Sequence, residues 1–207
     1  MSFLFPHENQ FFNLLGELHK EADEALSLIE STFLNTKEFC SSSNRVKKND
    51  SASERTYQKT LRELAHTFIT PFDREDILAV AIAYELFSQN TRILILDACC
   101  FEEESSKYGK SFLDHLAEVR KSFNELNSVI CTENISSRDF ESALTLAHIS
   151  VEELKNTIED VLLGNMNAAK NWKEWLGALN NAKNLRKVAN SLTSIIKGYE
   201  TIFVKGL

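Results

Sequence analysis

Apolar residues return every third or fourth position along nearly the whole chain, the spacing that lines one side of an α-helix. Phe11, Leu14, Leu15, Leu18, Ala22, Ala25, Leu26, Ile29 and Phe33 form one such stripe, predicting a first helix over about residues 8–36. The polar, aperiodic segment that follows, about residues 39–50, reads as a loop. Ser51-Ala-Ser-Glu54 then has capping-box spacing, so a second helix is expected from Ser51, or from a few residues earlier, to about Phe68.

Pro71 lacks an amide proton and disfavours helical geometry at Thr70, so the chain must break there. Asp73 suits an N-cap, and Glu75 and Asp76 suit the positive end of a third helix running to Cys100. Phe112, Leu116, Val119, Phe123, Leu126 and Ile130 mark a fourth helix over about residues 108–132. A turn at Asn134–Asp139 leads to a fifth helix, ending at Leu163 with Gly164 in the left-handed position after it. The sixth, over about residues 167–204, is drawn by Trp172, Trp175, Leu179, Ala182, Leu185, Val188, Leu192, Ile195 and Tyr199, with both tryptophans assigned to the core. The class is all-α: six long helices in two groups of three, as paired three-helix bundles or one elongated bundle.

Composition supports this pattern. Six glycines and two prolines in 207 residues leave few punctuation points. A net charge of −7 argues against a nucleic-acid partner. The Arg45-Val-Lys-Lys48 run reads as solvated surface, with contact to an anionic membrane or partner as the alternative. The four cysteines lack zinc-ligand spacing and read as reduced thiols. The apolar region from Ile77 is interrupted by Glu85, Ser88, Gln89, Asn90 and Arg92, so it is no membrane span. With no signal-peptide pattern at the start, the expected location is cytoplasmic.

No nucleophile elbow, phosphate loop or dinucleotide fingerprint occurs, and the serines fall in loops and caps with no recognisable base nearby. Helical bundles more often build sites from acids four residues apart, which share a face and can hold a hard cation. Asp50 with Glu54 and Glu85 with Gln89 have that spacing, and Glu63-Leu-Ala-His66 has the spacing of half a di-iron site. Caps and solvated faces account for most of these. Glu85 stands apart, since Val80, Ala81, Ala83, Tyr84, Leu86 and Phe87 surround it and a carboxylate there needs a partner or a metal.

The stretch Thr67-Phe-Ile-Thr-Pro-Phe-Asp-Arg-Glu-Asp-Ile77 closely resembles the signature of the PhoU-like phosphate-transport regulators. More narrowly it resembles the group accompanying low-affinity phosphate permeases, the Pit accessory proteins. Phe3-Leu-Phe5, Phe11-Phe12 and the six-helix layout are similar to that group as well.

The resemblance implies a single PhoU-like domain over 1–207, with pseudo-repeat halves at about 1–104 and 105–207. It implies a cytoplasmic, non-enzymatic protein, at the inner face of the membrane or free of it, acting on phosphate transport through contacts with a permease or another regulatory protein. Peripheral membrane association and a homo-oligomer are both compatible with it. Many members carry acid pairs that hold iron or other metals, and the matching positions here are Asp50, Glu54 and Glu85. Gln89 replaces an acid after Glu85, Thr157 one after Glu153, and Asn180 and Asn184 stand where a further pair is expected. The expectation is therefore a divalent metal or iron held weakly or not at all. The alternative is a metal-binding bundle, a metal-dependent enzyme or storage protein, using Asp50, Glu54, Glu63, His66 and Glu85.

Overall fold

The computed structural model describes residues 8–34, 39–68, 70–100, 107–130 and 136–206. Phe3-Leu-Phe5, Ile69, Cys131 and the start of the expected turn at Asn134 lie outside them. Among the described residues the fold has six helices: α1 (Glu8–Leu34), α2 (Phe39–His66), α3 (Arg74–Cys100), α4 (Lys110–Ile130), α5 (Ser137–Ala168) and α6 (Trp172–Gly206). None of the described helices is long and apolar enough to cross a membrane. The first three pack with one another, α5 packs on α4 and on α6, and the most extensive packing joins α3 to α6. One continuous core runs through both groups. A small second cluster of Phe11, Leu14, Leu64 and Ile77 closes one end.

The expected loop at about residues 39–50 is helix instead, and α2 begins at Phe39. Its buried side is not apolar. Ser42, Val46, Asn49, Ser53, Thr56 and Thr60 are buried at alternating spacings of four and three, a helical stripe of mostly small polar residues. Their polar atoms are served locally: Asn49 Nδ2 donates to the Glu21 carbonyl at 2.9 Å, Thr56 Oγ1 to Glu21 Oε1 at 2.8 Å, and Thr60 Oγ1 to the Thr56 carbonyl at 2.9 Å. Ser51 is therefore no cap; its hydroxyl bonds back to the Lys47 carbonyl at 2.9 Å, inside the helix.

Two further expectations fail near α5 and α6. The fifth helix continues through Gly164 to Ala168, and no described glycine has a positive φ. Trp172 is 76% exposed and Trp175 43%. Both lie in the first turn of α6, ahead of the point where its buried face begins at Gly177 and Ala178. Asn171 caps that turn, and Glu174 braces the cap. Asn171 Oδ1 accepts from the Lys173 and Glu174 amides at 3.0 Å each, and Glu174 accepts from the Asn171 side-chain amide at 2.7 Å.

A chain of polar side chains crosses the core between α1, α3, α4 and α6. Arg120 grips both oxygens of Asp23, at 2.7 and 2.8 Å, the fork geometry that guanidinium and carboxylate favour. Asn124 Nδ2 donates to Asp23 at 2.8 Å, so its Oδ1 faces His19 Nε2 at 2.7 Å. Nε2 must then carry the proton, leaving Nδ1 to accept from the Tyr84 hydroxyl at 3.3 Å. Tyr84 in turn accepts from Tyr199 at 2.8 Å. Burial holds His19 below the usual imidazole range, against the pull of Asn124 and Asp23, which agrees with the neutral ring this order of donors requires.

Candidate functional site

Two features derive from the corner between α2 and α3. The first is the corner itself. Thr67 continues the last turn of α2 by bonding its amide to the Glu63 carbonyl at 2.9 Å. Beyond it, Thr70 Oγ1 bonds the Phe72 carbonyl at 2.6 Å across Pro71. The Asp73 carbonyl accepts from the Asp76 and Ile77 amides at 3.0 and 3.1 Å, starting α3 where expected.

Arg74 occupies a first-turn position that favours acids, and its role explains the exception. Its guanidinium turns back onto the Thr67 carbonyl at 2.8 Å and onto the Leu64 carbonyl, covering the open end of α2. Phe72 packs edge-on against Phe12 with centroids 5.4 Å apart, anchoring the corner to α1. Asp76 is buried and receives Lys205 Nζ at 2.9 Å on both oxygens, tying the corner to the end of α6. These parts enclose a cleft of about 760 Å³ lined by Phe68, Pro71, Asp73, Glu75, Ile202 and Lys205 among others. Phe68, 95% exposed, stands at its edge.

The second feature is the acid cluster on which the corner sets α2 against α3. Asp50, Glu54 and Glu85 are brought together as the sequence expects. Asp50 Oδ1 accepts from Ser88 Oγ at 3.2 Å, and Asp50 Oδ2 lies 2.9 Å from Arg92 Nε. Glu54 Oε1 accepts from Gln58 at 2.9 Å. Glu85 is buried; its Oε1 accepts from Gln89 Nε2 at 2.7 Å while Oε2 has no donor. Glu54 is within hydrogen-bonding reach of Glu85, and two carboxyl groups can share such a bond only through a proton. Burial, followed by Glu54 and Asp50, pushes Glu85 up to about 7, against the opposing bond from Gln89.

This donor set does not fit a bound cation. Arg92 already balances Asp50, and Gln89 presents its NH₂ to Glu85 where a hard cation needs another oxygen. Among the described residues, no group of three or more His, Cys, Asp or Glu is arranged to hold a metal. The other candidate positions serve local contacts. Asn184 Nδ2 donates to Asp97 at 2.6 Å, Thr157 Oγ1 bonds the Glu153 carbonyl of its own helix at 3.0 Å, and His66 faces solvent. Sequence reasoning missed Arg92, counted there only as an interruption of an apolar run. The signal was available, since Arg92 follows Glu85 by seven residues, two turns along one face. Lys205 left no such signal, lying 129 residues from Asp76.

No family model matches the sequence, and no curated protein is significantly similar to it. Solved structures are. A PhoU-like protein from Shewanella oneidensis MR-1 superposes with a TM-score of 0.72 at 10% identity, covering 93% of this chain and 99% of that one. The fold is PhoU-like. A second protein of that bacterium, described as a PhoU-like phosphate regulatory protein, gives a TM-score of 0.69 at 13% identity over 94% of this chain and 99% of its own. At these identities the likeness is one of backbone, and the PhoU-like fold leaves chemistry to the particular side chains.

Proposed function

We propose that the protein is a cytoplasmic accessory or regulatory protein of inorganic phosphate transport, of the Pit accessory kind, and not an enzyme. It acts by docking the α2–α3 corner onto a phosphate permease or an associated regulatory protein. The observation that carries this reading is the coincidence of a PhoU-like fold across nearly the whole chain with an intact, solvent-facing signature corner. Phe68 offers the cleft an aromatic anchor, and Asp73 and Glu75 add exposed negative charge. The matching partner segment is basic and apolar, as the cytoplasmic loops of membrane proteins tend to be.

The test is co-purification with the permease together with phosphate uptake after deletion of the gene. Phe68→Ser should keep the fold and lose the partner. Unchanged uptake and no permease recovered with the native protein would overturn the proposal. The competing metal-binding reading is separated by elemental analysis of protein purified without chelators, where stoichiometric iron, manganese or zinc would favour it.

A further inference from the structure

The basic residues of α2 form a pattern that the corner does not use. The helix carries six Lys or Arg and three acids in a chain of net charge −7. Arg45, Lys48, Arg55, Lys59 and Arg62 recur at helical spacing and are all exposed, so they share one outer face about 26 Å long. Two of the three acids lie on another flank, toward α3: Asp50 with Arg92 and Glu54 beside Glu85; the third, Glu63, is half-buried at the end of the row. On the neighbouring helix α1, Glu17 pairs with Lys59 at 3.1 Å. Arg55 acts on the Glu21 carboxylate only at longer range. Among the described residues, Arg45, Lys48, Arg55 and Arg62 make no ion pair.

We infer that this face of α2 is an electrostatic docking surface for an anionic lipid bilayer. Among the described side chains of α2, residues 41–66, no large apolar one is exposed, so the face lacks the aromatic or aliphatic anchors that concentrate affinity in protein interfaces. What it offers is a straight row of long, flexible cations, matched to a flat surface of negative headgroups. Binding is peripheral and reversible, because the row itself offers no apolar group to the hydrocarbon, and salt dissolves it as the screening length shortens. The surface is separate from the corner cleft, so it stands whichever protein docks there.

Co-sedimentation of the full chain with phosphatidylglycerol vesicles and with phosphatidylcholine vesicles, at low and high salt, tests this directly. The protein should pellet with phosphatidylglycerol at low salt only. The triple variant Arg45→Gln, Lys48→Gln, Arg62→Gln should lower that partition by about a hundredfold. The triple Lys183→Gln, Lys187→Gln, Lys197→Gln makes the same change in net charge on α6, at exposed positions, and should largely retain binding. Failure to pellet with phosphatidylglycerol, an equal loss in both triples, or capture by a DNA duplex in place of vesicles would each overturn the inference.

Discussion

Arg74, the first residue of α3, donates its guanidinium to the main-chain carbonyl of Thr67 just beyond α2, so the residue that begins one helix closes the one before it. Arg74→Ala should lower stability by about 1–2 kcal/mol, with Arg74→Lys recovering only part because it lacks the planar fork. Urea denaturation of the three proteins measures this. Equal stability of all three would show that water serves those carbonyls as well.

Glu85 titrates high, at about 7, mainly because it is buried. The folded state therefore holds this proton more tightly than the unfolded chain, whose carboxyl titrates near the ordinary 4.5. Its contribution to stability is full below about pH 4.5, falls as pH rises through about 7, and is flat above. Glu85→Gln keeps a neutral group in place and should be more stable than wild type at about pH 8, by on the order of 1 kcal/mol. Melting curves across pH should show the gap closing in mild acid. A constant gap would mean that Glu85 is not the group responsible.

His19 has the opposite sign. Burial lowers its proton affinity in the folded state, so its contribution is intact above the unfolded pKa of about 6.5 and is lost as pH falls below it. A charged ring would present a second N–H to Tyr84 and break the order of donors. In a Glu85→Gln background, where the other slope is gone, stability should decline below about pH 6.5. His19→Leu should cost about 2–3 kcal/mol by orphaning Asn124 and Tyr84, and the acid-side decline should vanish with it.

Gly198 of α6 faces Val80 of α3 so closely that an added Cβ would lie 2.5 Å from Val80 Cγ2. Gly198→Ala should destabilise by about 1–3 kcal/mol despite the better helix propensity of alanine. In a Val80→Ala background the same change should be neutral or stabilising. A double-mutant cycle without coupling would refute this contact.

Arg92 acts as the built-in counter-ion of Asp50. Wild-type melting temperature should therefore be unmoved by chelator or by added manganese or calcium. Arg92→Gln should melt lower, since it leaves three neighbouring acids without a cation, and divalent ions should restore part of the loss. A wild-type protein that is itself stabilised by these ions would reverse that assignment.

Much of the fold was legible in the sequence because helical spacing of apolar residues is a strong signal. The break at Pro71, the restart at Asp73 and the approach of Glu54 to Glu85 followed from local rules and one recognisable stretch. The first twelve residues of α2 were not legible, because Ser42 and Asn49, buried there on either side of Val46, are polar and leave no hydrophobic periodicity. The tryptophans were misplaced by assuming that large aromatics lie inside, when the Asn171 cap sets them in an exposed first turn. In the acid cluster, the carboxylates and Gln89 could be chosen by spacing and Arg92 stood two turns from Glu85, whereas the pairing of Arg92 with Asp50 became visible only once α2 and α3 were laid side by side.

The row from Tyr199 through Tyr84 and His19 to Asp23 bears on how the helices can slide. Displacing α6 by one turn would carry Tyr199 about 5.4 Å along the core and break its bond to the Tyr84 hydroxyl. A greasy seam alone tolerates such a shift, because one aliphatic contact replaces another. Here a sliding α6 must give up a directional bond between two buried hydroxyls, which an aliphatic neighbour does not replace. The helices therefore have one setting, as a key has one depth in its lock.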